Sequence, residues 1–175
     1  MSGAIFFSTK HGSTAEYANW IGEASGLPVF NVNDTNADPS KYDFLVLGSA
    51  LIFYKLTIRR WAKANLADIA HKSKILFSVS GAGDSPKLQR WVAASLPEKL
   101  LSKMDHVALR GRMDPKKLNW ALRLIMRIGA FLNPDPQASK EERVGFDYVD
   151  RSSIEPILKM IEQHQSKFAP ADMPN

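Results

Sequence analysis

Short apolar runs alternate with helical patterns along the whole chain, and this alternation is the feature that most restricts its fold. The strongest run is 42–50, and weaker ones lie at 3–8, 27–32, 74–80 and 106–109. Apolar residues at helical spacing follow at 14–26, 57–70, 86–103, 115–132 and 152–168. Strands that alternate with helices indicate an α/β fold, a doubly wound parallel sheet with helices on both faces.

The length of 175 residues fits one domain, which we place at 1–168, with a flexible tail at 169–175. The absence of cysteine excludes disulfides, thiolate catalysis and cysteine-ligated metals. The four histidines have no ligand spacing, so we expect no metal site and assign any redox chemistry to an organic cofactor. No apolar run reaches the roughly 18 residues of a membrane span, and the N-terminus lacks a charged leader. We therefore expect a cytoplasmic protein.

The net charge of +5 admits two interpretations. It is either a solvated surface with extra lysines, or an attraction to an anionic partner such as lipid, a carboxylate-bearing substrate or nucleic acid.

The loop after the first strand combines hydroxyl groups, a glycine and two basic residues ahead of a helix. Its residues are Thr9, Lys10, His11, Gly12, Ser13 and Thr14. Ser13 or Thr14 is the predicted helix cap, with Glu16 in the first turn. A helix N-terminus offers unpaired N–H groups and a dipole that favours anions, so the loop is either a simple cap or a phosphate site. It lacks both GxxxxGK[ST] and GxGxxG, which disfavours a triphosphatase or a dinucleotide site.

Two further loops should meet this one, because ligands of doubly wound sheets bind beyond the carboxyl ends of the strands. The second loop holds small and then large apolar residues, namely Ser49, Ala50, Leu51, Ile52 and Phe53, followed by Tyr54. They suit a flat aromatic ring, or they begin a buried helix edge. The third loop is Ser80-Gly81-Ala82-Gly83-Asp84-Ser85, where two glycines allow backbone amides to approach a ligand, or form a plain turn.

These three motifs resemble the flavodoxin family. Residues 9–14 match its phosphate loop [T/S]-x-T-G-x-T except for His11, and 81–85 match its G-x-G-D-S loop. The segment Asp43-Phe44-Leu45-Val46-Leu47-Gly48-Ser49 is similar to its third strand. The resemblance implies a five-stranded sheet of order 2-1-3-4-5 and flavin mononucleotide (FMN) as cofactor. The first loop would hold the phosphate, and the other two would flank the isoalloxazine ring.

The chain departs from the family in its aromatic residues and its charge. Family members stack a Trp in the second loop and a Tyr after the third, where this chain has Ile52 and Lys87, so Phe53 and Tyr54 are the candidates to substitute on one face. Carrier flavodoxins are usually acidic, whereas this chain is basic.

The C-terminal third resembles the flavodoxin-like, quinone-dependent protoporphyrinogen oxidases of haem biosynthesis. The matching segments are Lys117-Leu118-Asn119-Trp120, Arg123-Leu124-Ile125-Met126-Arg127-Ile128 and Ser139-Lys140-Glu141-Glu142-Arg143-Val144. The resemblance implies electron transfer from an apolar substrate through FMN to a quinone, with no nucleic acid partner. It identifies no catalytic acid or base, and it leaves the oligomeric state open.

The predicted helix 115–132 carries one narrow basic stripe on an otherwise apolar surface. Lys116, Asn119, Arg123 and Arg127 form the stripe at spacings of three and four. The helix either packs on the core, rests on an anionic membrane, or forms a wall of an apolar substrate site. For the last two cases we name Lys116, Trp120, Arg123 and Arg127 as the contacts. The competing functions are a flavodoxin that carries electrons between proteins, and a binding module without flavin.

Overall fold

A five-stranded parallel sheet forms the centre of the molecule in a computed structural model that describes residues 2–81, 84–117, 120, 124 and 144–166. The strands are β1 (Gly3–Ser8), β2 (Val29–Asn31), β3 (Phe44–Ile52), β4 (Lys55–Leu56), β5 (Ser73–Ser80), β6 (Met104–Arg110), β7 (Arg112–Met113) and β8 (Phe146–Asp147). The parallel order is β2-β1-β3-β5-β6, which confirms the predicted order 2-1-3-4-5 when the short antiparallel β4 is left out of the count. β7 and β8 are far apart in the chain and pair as a separate two-stranded antiparallel sheet, the β7–β8 ribbon.

The first helix has nearly its predicted bounds, whereas the helices predicted over 57–70 and 86–103 are each divided in two. The helices are α1 (Ser13–Ser25), α2 (Arg59–Ala64), α3 (Leu66–Ile69), α4 (Pro86–Ser95), α5 (Glu98–Leu101) and α6 (Glu155–Ser166), with 3-10 turns at Pro39–Lys41, Pro115–Lys117 and Arg151–Ile154. The single helix predicted over 57–70 is wrong, because β4 precedes it and Asn65 interrupts it. The helix predicted over 86–103 is also broken, at Leu96, because Pro97 forces the preceding residue into an extended conformation.

Alternate residues of the central strands pack into two cores on opposite faces of the sheet. Ile5 and Val46 belong to the core that contains residues of α1 and α6. Phe6 and Leu47 belong to the core beneath α2 to α5. This alternation follows from the two-residue period of a strand and gives the doubly wound arrangement.

Two buried lysines near the amino end of β5 donate hydrogen bonds to backbone carbonyl groups. The Nζ of Lys72 donates to the carbonyl oxygens of Pro39 and Tyr42, both at 2.7 Å. The Nζ of Lys74 donates to those of Ile69 and Ala70, both at 3.2 Å, so each charge sits among the backbone acceptors that end a helical turn.

Most of the predicted helix 115–132 lies outside the described residues, as do Ala82, Gly83, Arg123, Arg127 and the tail 169–175. Trp120 and Leu124 are described and helical. Among the described residues, the longest and most apolar helices still fall short of what a membrane span requires.

Candidate functional site

A cavity of about 240 Å³ opens at the carboxyl ends of β1, β3, β5 and β6. Its lining combines all three predicted loops with a fourth segment. The lining residues are Thr9, Lys10, His11, Ser13, Thr14, Ala50, Leu51, Ile52, Phe53, Val79, Ser80, Gly81, Gly111, Arg112, Met113 and Phe146. The volume is slightly below the roughly 300 Å³ at which typical small-molecule pockets begin. A flavin-sized ligand would therefore extend from the cavity toward solvent.

The first loop places a helix N-terminus against the cavity. Gly12 has a φ of 93° and is the N-cap of α1, so the prediction that Ser13 or Thr14 caps this helix is wrong. The Thr9 Oγ1 accepts from the Gly12 N–H at 3.1 Å, which fixes the turn. The Ser13 Oγ accepts from the Arg112 N–H at 3.2 Å, which ties α1 to β7. The N–H groups of the first helical turn have no partner within the helix and suit an anion.

The charges around this loop favour an anion only in part. Lys10 is exposed at the cavity wall. Partial burial, and then the neighbouring Lys10 charge, lower the pKa of His11. Burial opposes the charge on Arg112, but the carboxylates of Glu16 and Asp147 outweigh it and raise its pKa. The Arg112 guanidinium contacts these carboxylates at 2.9 and 3.1 Å, so its charge is already paired.

The second loop is a strand end and a tight hairpin, not the start of a helix. β3 continues through Leu51 and Ile52, and the two-residue turn that leads into β4 consists of Phe53 and Tyr54. Both turn residues have positive φ, 47° and 63°, which bulky side chains rarely adopt. Phe53 lines the cavity with 58% of its surface exposed, whereas Tyr54 packs against Trp91 with ring centroids 4.7 Å apart.

Ser49, another predicted cofactor contact, lies beneath this loop and is fully buried. Its Oγ accepts from the Ile58 N–H at 3.2 Å and lies 3.3 Å from the Thr57 Oγ1. The hydroxyl therefore stabilises the loop from the protein side.

The third loop contributes Ser80 and Gly81 to the cavity. Ala82 and Gly83 lie outside the described residues. Asp84 does not line the cavity, and its Oδ1 accepts from Gln89 Nε2 at 2.9 Å. Ser85 caps α4 by accepting from the Leu88 N–H at 3.2 Å.

Five lining residues were not among the predicted contacts: Val79, Gly111, Arg112, Met113 and Phe146. A signal for Gly111 to Met113 was present, because they follow the last parallel strand and must reach the same sheet edge. Phe146 carries no such signal, since it reaches the cavity through the β7–β8 ribbon, whose strands are distant in sequence.

The basic helix contacts are only partly described. Lys116 is exposed in the 3-10 turn that precedes the helix, and Trp120 and Leu124 expose 80% and 51% of their surfaces. Arg123 and Arg127 lie outside the described residues.

The arrangement fits a phosphorylated aromatic ligand. An ideal Cβ built on Gly12 meets nothing within 4 Å, so the loop is open where an anion would approach the helix N-terminus. Apolar side chains from β3, β5, β7 and β8 form the adjoining walls, as a flat heteroaromatic ring requires. Fold and site together define a flavodoxin-like α/β domain.

Comparison with known proteins identifies the family. The sequence matches the flavodoxin domain over residues 4–133, so the chain belongs to this family. Membership confirms the flavodoxin-like fold and FMN as the cofactor, and places the chain among FMN oxidoreductases and electron carriers.

Solved structures that are similar to this chain have low sequence identity and TM-scores below 0.5. The Trp repressor binding protein from Bacillus subtilis is 13% identical, with a TM-score of 0.48 over 81% of this chain and 96% of that one. A flavodoxin from the domain Archaea is 15% identical, with a TM-score of 0.45 over 93% and 99%. A Fusobacterium nucleatum flavodoxin variant bound to flavin mononucleotide is 16% identical, with a TM-score of 0.43 over 68% and 73%. No curated protein matches the sequence.

Proposed function

We propose that this chain is an FMN-dependent oxidoreductase similar to the quinone-dependent protoporphyrinogen oxidases, which moves electrons from an apolar, anionic substrate through FMN to a quinone. In this proposal residues 1–168 form one FMN-binding domain, and the segment 115–132 adds a helix that faces substrate or membrane. The protein would act in the cytoplasm, peripherally on the inner face of the membrane.

The FMN contacts in this proposal follow the three loops. The backbone of 9–14 and the N-terminus of α1 hold the phosphate, while 50–53 and 80–84 flank the ring. The cavity supports the division between the first two loops, because five polar lining residues belong to the first loop and apolar side chains of 50–53 belong to the second. Ser49 acts indirectly, by holding the second loop through its buried hydroxyl.

The observation that supports an apolar substrate is the exposed apolar surface beside basic charge. Trp120 and Leu124 each have helical backbone and are mostly exposed. In the proposed helix 115–132 their spacing of four residues would place them on one face. Lys116 lies one turn before Trp120 and is exposed. Such a face suits a ring with carboxylate substituents or a lipid surface, with Arg123 and Arg127 as the further proposed cationic contacts.

FMN, when bound, accepts two electrons and the accompanying protons from a substrate and can pass them to a quinone, which becomes the quinol. The residues of this chain orient the cofactor and exclude water from its buried edge.

A protein-to-protein electron carrier is the second candidate. The Gly81-x-Gly83-Asp84-Ser85 loop matches ordinary flavodoxins and favours it. Two assays on the purified, FMN-loaded full chain separate the candidates. One follows porphyrin fluorescence with protoporphyrinogen and a menaquinone analogue, and the other follows flavin bleaching by a flavodoxin reductase with NADPH.

Quinone-dependent turnover of protoporphyrinogen is the expected result. Fast reduction by the reductase without porphyrin formation would assign the carrier role instead. A colourless protein that takes up no added FMN would overturn both roles and leave a binding module.

A surface variant tests the substrate face separately. Trp120→Ser with Leu124→Ser should keep FMN binding and lose most quinone-dependent turnover, because both side chains are exposed. Lys116→Ala should raise the KM for the anionic substrate. Lys99→Ala on α5 removes an equally exposed charge away from the cavity and should change neither. Unchanged turnover in the double variant would remove the apolar face from the proposal.

A further inference from the structure

An aromatic pair beside the β7–β8 ribbon reaches the cavity from the side of the last parallel strands. Phe146 lines the cavity and stacks on Tyr148 with ring centroids 5.3 Å apart and planes at 25°. The Arg110 guanidinium covers the other ring in turn, 3.5 Å from the Tyr148 centroid. A cation and two rings thus form a continuous stack that ends at the cavity wall.

Backbone contacts hold this stack against the third loop. Phe146 pairs with Met113 in the β7–β8 ribbon, and the Tyr148 N–H donates to the Gly111 carbonyl at 3.1 Å. The Arg110 Nη2 donates to the Gly81 carbonyl at 3.1 Å. The same carbonyl-bound arginine therefore positions both the stack and the loop.

Gly81 allows the Phe146 ring to approach so closely. A Cβ at Gly81 would stand 2.5 Å from the Phe146 Cζ, so any side chain there must displace the ring. The ring edge thus rests on the backbone of the loop that, in the proposed function, flanks the isoalloxazine.

The usual aromatic positions of this fold class are not aromatic here, since Ile52 and Lys87 occupy them. Phe53 supplies one ring, on the β3 side of the cavity. β5 and β6 follow β3 in the sheet order, and on their side Phe146 is the described aromatic residue that lines the cavity.

We infer that Phe146 is a flavin-contacting residue that substitutes for the absent aromatic of the third loop, with Tyr148 and Arg110 as positioning residues behind it. This inference rests on the proposed FMN site. It assigns a role in cofactor binding to the β7–β8 ribbon, which lies outside the three loops.

The test measures FMN binding to the purified full chain by fluorescence titration, with bound-flavin emission and the visible spectrum as additional readouts. Phe146→Leu keeps an apolar contact with Gly81 but removes the π face. Aromatic pairs contribute about 0.5–1.5 kcal/mol beyond area burial, so the Kd should rise about two- to tenfold. The emission of bound FMN should also rise, because stacked rings quench it.

Conservative variants distinguish the ring from a merely structural role. Phe146→Tyr should restore the affinity and the quenching, and Tyr148→Phe should change both little because the stack is retained. Gly81→Ala should mimic Phe146→Leu by pushing the ring aside. Circular dichroism and urea unfolding establish that each variant is folded.

Phe146→Leu with unchanged Kd and emission would overturn this inference while the FMN site itself stands. If only Phe53→Leu altered the emission, the β7–β8 ribbon would have a purely structural role and the inference would be wrong. If the wild type took up no FMN, both the proposed function and the inference would fall together.

Discussion

The positive φ of Gly12 allows the phosphate loop to be tested against a matched position on the same helix. Gly12 begins α1 with φ 93° and ψ −30°, and Gly26 ends it with φ 71° and ψ 7°. A Cβ at either position meets nothing within 4 Å, so alanine is strained at both by backbone conformation alone. Gly12 lies between His11 and Ser13, which both line the cavity, whereas neither Gly26 nor its chain neighbours line it.

The magnitude follows from the backbone conformations. Gly26 lies in the left-handed region, where an L residue costs about 1–2 kcal/mol. Gly12 lies outside that region, where sparsely populated conformations cost about 1–3 kcal/mol. The loss of unfolded-state entropy offsets about 0.4–1 kcal/mol in each variant. Both Gly12→Ala and Gly26→Ala should therefore lower the unfolding free energy, by about 1 kcal/mol for Gly26 and by somewhat more for Gly12.

The two variants should differ in FMN affinity. The free loop of Gly12→Ala can relax to relieve strain, and FMN must then restore the strained form. If about 1.4 kcal/mol is relieved, the Kd rises about tenfold. Gly26→Ala should leave the Kd unchanged.

The assay combines urea unfolding of the FMN-free protein with fluorescence titration of FMN, and riboflavin serves as a ligand without phosphate. Gly12→Ala should weaken FMN more than riboflavin. Equal Kd values for FMN in both variants and the wild type, despite equal losses of stability, would refute a phosphate role for the first loop.

Three further predictions concern charged groups. The lowered pKa of His11 should rise beside a phosphate dianion, so FMN binding takes up protons between the pKa of the free protein and that of the complex, and weakens as the pH rises through that range; calorimetry in two buffers measures this, and riboflavin or His11→Gln should abolish it. Burial lowers the Lys74 pKa from 10.5 to about 8, so between these values the unfolded chain binds more protons and the unfolding free energy rises with pH; Lys74→Met should flatten that rise in urea titrations. Arg112→Gln should raise the FMN Kd, because it frees Asp147 beside Phe146; the increase should be less than about fivefold, because exposed ion pairs contribute about 0.2–1 kcal/mol. Arg151→Gln, which breaks an exposed pair with Glu23 away from the cavity, should leave the Kd unchanged, and equal effects of the two substitutions would contradict this reading.

The parallel sheet was predictable because its strands are buried on both faces and read as continuous apolar runs. The run 44–48 lies wholly in β3, and the five parallel strands have the predicted order. Helix boundaries were less predictable where tertiary packing overrides periodicity. The break at Leu96 had a clear local signal in Pro97, whereas the break at Asn65 did not.

The position of the first loop at the cavity could be read from the sequence, because it depends on local geometry, a strand followed by a glycine and a helix. The aromatic wall of the cavity depends on contacts between residues far apart in the chain. Phe146 reaches Gly81 only because β8 pairs with β7. No spacing rule connects these positions, so the aromatic wall was outside the reach of sequence reasoning.

The turn of Phe53 and Tyr54 shows why the helix-edge alternative for the second loop was wrong. Two-residue hairpins favour Asn or Gly where φ is positive, and two aromatic residues give the opposite signal, so nothing in the sequence indicated a hairpin. The strained conformation persists because β3 and β4 pair on either side of it and Tyr54 packs on Trp91. Strain of this kind concentrates at functional sites, and here it turns the Phe53 ring to the cavity wall. This strained turn thus lies where the proposed flavin ring requires an aromatic neighbour.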